Sequence, residues 1–178
     1  PSAGMRKPDT LADFLVAQVD HALRTPSGNS RAQREYPASA IAEAELNASE
    51  QKHAAGLMRV NHTGEICAQA LYEGQAPTAS DPQPRDALKS AASEETDQLA
   101  WCEERLGELD SRPSVLNPAF YALSYAMGAL TGLMGDKISL GFVEATEDQV
   151  CKHLANHLET LPEADGRSRQ IVKKMHDD

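Results

Sequence analysis

The stretch Leu57-Met58-Arg59-Val60-Asn61-His62-Thr63-Gly64-Glu65-Ile66-Cys67-Ala68-Gln69-Ala70-Leu71-Tyr72 decides the fold. Leu57, Val60, Gly64, Cys67, Ala68 and Leu71 recur every three or four residues, the spacing of one face of an α-helix. Glu65 adjoins that face, four residues after Asn61 and three before Ala68. A carboxylate turned toward a helical core is costly to bury unless a partner neutralises it. Two more glutamates occupy equivalent positions. Glu95 stands in the series Leu88, Ala91, Glu95, Gln98, Cys102, Leu106, Leu109, and Glu147 stands among Val143, Val150, Cys151, Leu154 and Leu158. Three carboxylates on the core-facing stripes of three helices point to metal cations as their partners.

Outward from that stretch the chain reads as helices throughout. Asn47 or Ser49 is expected to cap the central helix, which runs to about Ala76. Residues 77–84 read as a proline-rich loop, and residues 85–109 as the next helix. Asn117 and Pro118 form a cap and a first-turn proline. A straight helix from there to Leu161 would exceed ~60 Å at ~1.5 Å per residue. It is therefore expected to bend or break near Gly132 and Gly135. Residues 162–166 form a turn, and Ser168 is expected to cap a last helix with Ile171, Val172 and Met175 as its stripe. Before all of these, residues 10–23 carry an amphipathic pattern in Leu11, Phe14, Leu15, Val19 and Ala22, and residues 25–39 read as a linker. The domain reading is residues 1–39 as N-terminal helix and linker, and 40–178 as a helical bundle.

Composition agrees. With 178 residues there is room for one domain with a sizeable core. Aromatic residues make up 4% of the chain and no alternating strand pattern appears, which favours an all-α fold. The formal net charge of −10 excludes nucleic acid as a natural partner. Cys67, Cys102 and Cys151 form no Cys-x-x-Cys pair and read as reduced thiols in a reducing compartment. Arg6 and Lys7 are followed by no apolar run, so no secretory signal is expected.

Carboxylates with imidazoles on a four-helix bundle form iron or manganese sites: one Glu from each of two helices, and a Glu-x-x-His pair from each of the others. Glu65 and Glu147 suit the single positions, and Glu95 opens a Glu-x-x-His slot. The stretch quoted above resembles the bacterial form of the demethoxyubiquinone hydroxylase family. So do Glu94-Glu95-Thr96-Asp97, Arg112-Pro113-Ser114-Val115-Leu116-Asn117-Pro118, and Ser139-Leu140-Gly141-Phe142-Val143-Glu144-Ala145-Thr146-Glu147-Asp148-Gln149-Val150. The match runs from about Ser49 to the end of the chain.

The resemblance implies a ferritin-like di-iron monooxygenase of ubiquinone biosynthesis, with an extra N-terminal helix and a truncated last helix. Its cofactors would be two Fe2+ ions and its substrates dioxygen and demethoxyubiquinol. Its place would be peripheral, on the cytoplasmic side of the bacterial inner membrane, with other ubiquinone-biosynthesis proteins as partners. It places the iron ligands on Glu65, Glu95 and Glu147, with Gln98 where the family has histidine. It also associates His153 with substrate or electron transfer. An amide oxygen is a weaker ligand for ferrous iron than imidazole, and the second Glu-x-x-His is expected one residue beyond Asp178. The implied activity is thus 3-demethoxyubiquinol hydroxylation impaired by Gln98 and by the absent last ligands. The alternative is a non-catalytic quinone-binding or assembly subunit. The uncharged run 119–134 is short for a membrane span, which needs ~20 apolar residues. It reads instead as an interfacial helix that collects the quinone. His62 and Glu144 read as supporting or solvated groups, and Trp101, Tyr121 and Tyr125 as core or interface residues.

Overall fold

The computed structural model describes residues 31–178. The amphipathic pattern at residues 10–23 lies outside the described residues. Among the described residues all regular structure is helical. It comprises α1 (Ala48–Gln75), a 3-10 turn (Ala76–Thr78), α2 (Pro82–Glu108), α3 (Asn117–Leu133), α4 (Asp136–Thr160) and α5 (Gly166–Asp177).

α1 starts at a capping box: the Asn47 side chain accepts from the Glu50 amide at 2.8 Å, and Glu50 accepts from the Asn47 amide at 3.2 Å. The predicted start is thus met. The expected apolar face is met only in part, with Ala68 and Leu71 buried and Leu57 and Cys67 partly so. Val60 and Gly64 are exposed, while Met58, Asn61, His62, Glu65, Ile66 and Gln69 are buried. The reason is topological. α1 is the central helix, packed most extensively on α3 and α2, so its buried surface wraps beyond a single stripe and takes in polar side chains.

The proline-rich segment is shorter than expected. The 3-10 turn takes up Pro77, and α2 begins at Pro82, where a fixed proline φ suits a first helical turn. Asn117 does not cap α3; Leu116 holds that position and Asn117 is the first helical residue. Its side chain turns inward, accepting from Thr63 Oγ1 at 2.9 Å and donating to His62 Nδ1 at 3.2 Å. His62, fully buried, meets Glu103 Oε1 through Nε2 at 3.0 Å. The predicted break falls at Gly135, whose φ of 117° is the left-handed backbone that glycine tolerates. Gln75, itself buried, pins that corner by donating to Ser139 O at 3.1 Å and Thr131 Oγ1 at 3.3 Å. Asp165, not Ser168, caps α5, accepting from the Ser168 amide at 3.0 Å.

Ile171, Val172 and Met175 bury as expected, joining Met58, Trp101 and Leu106 in the main apolar cluster. Segment 31–47, without regular structure, straps this cluster. Arg34 lies over the Trp101 ring at 4.8 Å and pairs with Asp97 at 2.7 Å. At the far end of α2 the fully buried Arg105 holds Asp165 at 2.7 Å, Glu43 at 2.6 Å and Ser168 at 2.8 Å. One guanidinium thus ties the strap, α2 and the start of α5 together, with its donors spread over three elements.

Candidate functional site

Glu65, Glu95 and Gln98 follow from helix geometry. Glu65 projects from the buried side of α1. Glu95 and Gln98, three apart on α2, share one face one turn from each other. Glu95, Gln98 and Glu147 line one cavity of about 230 Å³ with Glu94, His176 and Asp178. Ala68 and Tyr72 of α1 form its wall, one and two turns beyond Glu65. Glu95 and Glu147 thus share this cavity, whereas Glu65 is not among its lining residues.

Their environments differ. Glu65 is 2% exposed and its Oε2 has no hydrogen-bond partner. Glu95 is half-buried, and its carboxyl is pushed up to about 8. Burial is the main cause, the Glu147 and Asp178 carboxylates add to it, and Arg34 partly offsets them. Burial and Glu147 likewise push the Tyr72 phenol upward. Glu147 corrects an expectation: it is exposed, not buried. α4 buries only Ser139, Leu154 and His157, so the turn carrying Glu147 lies at the cavity mouth with solvent on one side. Gln98 is buried, and its Nε2 donates to Asp178 Oδ2 at 3.1 Å.

The charge of this set fits a divalent cation. An unpartnered buried carboxylate oxygen and a second carboxyl that holds its proton near neutrality are what a cation would relieve. The carboxylates and the Gln98 amide offer oxygens, suited to hard or borderline metals, and His176 in the same lining adds an imidazole nitrogen. The set is not drawn into a closed sphere, however. Among the described residues no three His, Cys, Asp or Glu side chains stand close enough together to hold a metal.

His153 lies elsewhere. It is exposed and lines a second cavity of about 460 Å³ between α1, α3 and α4, with Cys67, Leu71, Met127 and Phe142. Ala68 and Val150 line both cavities. Behind His153, one turn along α4, the buried His157 donates from Nδ1 to Asn61 Oδ1 at 2.7 Å. The two imidazole rings are 6.2 Å apart. Neither Asn61 nor His157 stood out in the sequence; a polar residue on a core-facing position of α1 was the available signal.

Among the described residues nothing covers one face of α3. Leu116, Phe120, Leu123, Met127, Leu130 and Leu133 recur at helical spacing along it and are all exposed. No helix among the described residues is long and apolar enough to cross a membrane. The thiols are unpaired, with Cys102 buried, Cys67 half-buried and Cys151 exposed.

Comparison with known proteins gives a consistent result. Residues 52–178 match the family described as ubiquinone biosynthesis protein COQ7. The chain is similar to the 3-demethoxyubiquinol 3-hydroxylase of Ectopseudomonas mendocina (strain ymp), 59% identical over 167 residues, covering 93% of this chain and 78% of that protein. It is 58% identical over 170 residues to the protein of the same name from Azotobacter vinelandii, covering 95% and 79%. Against that of Pseudomonas aeruginosa (strain LESB58) the identity is 54% over 168 residues, covering 93% and 78%.

Proposed function

This chain belongs to the COQ7 family of ubiquinone biosynthesis proteins, and on that premise we propose that it hydroxylates 3-demethoxyubiquinol with iron held by Glu65, Glu95 and Glu147. The observation that carries the reading is the cavity lined by Glu95, Gln98 and Glu147, where burial and the Glu147 and Asp178 carboxylates push the Glu95 carboxyl up to about 8. Bound Fe2+ supplies the activation of dioxygen that ring hydroxylation needs. Glu65, Glu95 and Glu147 bring anionic oxygens to it, and Gln98 a neutral amide in place of an imidazole.

The quinol ring occupies the neighbouring cavity, whose walls are mostly apolar and whose volume suits a small-molecule site. His153, its imidazole, accepts a hydrogen bond from a ring hydroxyl and so fixes which ring edge faces the carboxylates. The outward face of α3 rests in the interface of the bacterial inner membrane on its cytoplasmic side, where it collects the polyprenyl quinone. Met127 belongs both to that face and to the cavity wall, which makes the two continuous.

The test is a single turnover. Protein loaded with Fe2+ under argon, given demethoxyubiquinol and then isotopically labelled dioxygen, is expected to yield quinol carrying one labelled oxygen atom. Iron-loaded protein that leaves the quinol unchanged overturns the proposal. A second reading, in which the chain binds quinone as an assembly subunit without iron, is favoured by the Gln98 amide, which Asp178 engages, and by the described residues, among which no three donors close around a point. Quinone binding with no iron uptake from an anaerobic Fe2+ titration would establish that reading instead.

A further inference from the structure

The carboxylate cavity and the apolar cavity meet at two residues. Ala68 and Val150 line both. Ala68 lies on α1 three residues after Glu65, and Val150 on α4 three residues after Glu147. An i, i+3 pair shares a helix face, so each of these side chains stands one turn from a carboxylate and on the apolar side of it. Ala68 is almost fully buried, and Val150 packs partly buried against the main apolar cluster. Neither has a polar atom, and Ala68 contributes only a methyl group.

We infer that Ala68 and Val150 form an aperture between the two cavities, through which the edge of a quinol ring reaches the carboxylates, and that their bulk decides which ring substituents pass. The inference rests on the hydroxylase reading and adds the determinant of ring size to it. The chemistry is steric. A ring arriving from the apolar cavity has Leu71 and Met127 along its path and His153 beside it. The ring carbon to be hydroxylated must project past two apolar side chains on facing helices. A hydrophobic boundary of that kind discriminates one added carbon by about 10–200-fold. The side chain at position 68 is the narrow element because its Cα is fixed in the centre of the most extensively packed helix. Val150 is the adjustable one, on a helix with much of its surface in solvent.

The experiment uses the whole chain and two short-tailed quinols, one with methyl and one with isopropyl at the ring carbon next to the reacting position. Dissociation constants come from equilibrium dialysis, and turnover of the iron-loaded parent is measured alongside. Ala68→Leu is expected to raise the ratio of isopropyl to methyl dissociation constants at least about tenfold, and Val150→Ala to lower it by a similar factor. Opposite shifts support the aperture. Ratios within about twofold of the parent in Val150→Ala overturn it, even if Ala68→Leu fails to fold. The two readings separate cleanly. If the variants show the binding shifts but the iron-loaded parent hydroxylates neither quinol, the enzymatic reading is lost and the aperture is kept. A parent that hydroxylates while the ratios stay fixed does the reverse.

Discussion

Gly128 of α3 lies so close to α1 that a Cβ on it would stand 2.2 Å from the carbonyl oxygen of Leu71. The contact is reciprocal: a Cβ on Gly74 of α1 would stand 2.3 Å from the Tyr125 carbonyl oxygen. In both cases the obstacle is backbone, which cannot rotate away. The two helices therefore touch main chain to main chain at these glycines, while Leu123, Leu130 and Leu133 of α3 are left on its outer side. Gly128→Ala must force them apart. A loss of about 1–3 kcal/mol is expected from overpacking, measured by urea denaturation. A variant as stable as the parent would show that the close approach is absent in solution.

The outer side of α3 yields the second prediction. Leu123 and Leu130 are exposed, so replacing both with lysine leaves the core untouched. If that face enters a bilayer interface, each leucine contributes about 1.5 kcal/mol or more of apolar transfer. The double variant should then bind vesicles at least about a hundredfold more weakly while unfolding at the same urea concentration as the parent. With a formal net charge of −10, the parent should bind neutral vesicles at least as well as anionic ones. Vesicle binding equal in parent and variant would remove the interfacial role of α3.

Much of the fold was legible because its signals are local. Asn47 with Glu50, the break near Gly135, and the spacing of Ile171, Val172 and Met175 each lie within a few residues of what they specify. The apolar stripe of α2 held at Leu88, Cys102, Leu106 and Leu109, although that helix is buried all round from Asp97 to Cys102. Val60, expected on the apolar face, is exposed because α1 is packed on several sides, and a helix so packed loses its single stripe. Glu147 lines the cavity with Glu95 but is exposed rather than buried, since its burial depends on what covers α4 and not on its own periodicity. The Asn61–His157 bond had no local signal, because it joins two helices far apart in the chain.

That bond carries the third prediction. Asn61 Oδ1 accepts from His157 Nδ1–H, and burial, with His153 and His53 nearby, holds His157 below the ordinary histidine range. The folded protein thus resists protonating it, whereas the unfolded chain takes the proton at about 6.5. More protons on the unfolded side means that stability rises with pH. The contribution is fully present above about 6.5 and is lost as pH falls below it toward the folded value. Urea unfolding at about pH 7.5 and about pH 5.5 brackets the free-histidine range. Over that interval Glu95, whose proton the folded state keeps to about 8, acts in the opposite direction in both proteins, so the difference is the test: on acidification the parent should lose more stability, or gain less, than His157→Gln. Identical pH slopes would mean that His157 titrates in the folded state as freely as in the unfolded one.

Gln98 provides the last. It sits one turn from Glu95 on the same face of α2, its amide nitrogen 3.1 Å from Asp178 Oδ2. An amide offers a cation a weak neutral oxygen, while an imidazole offers a basic nitrogen that ferrous iron prefers. If the carboxylate cavity is the iron site, Gln98→His adds a strong donor on the cavity wall without altering helix propensity much. Fe2+ affinity, measured by anaerobic equilibrium dialysis, should rise by about tenfold or more, in the range that changes around metal ligands produce. The same variant in the absence of iron should unfold close to the parent. Glu95→Gln should weaken Fe2+ binding in both backgrounds, because it removes the anionic oxygen that the cavity presents beside position 98. An unchanged affinity in Gln98→His, with Glu95→Gln also without effect, would move the metal away from this cavity and leave its carboxylates to protons alone.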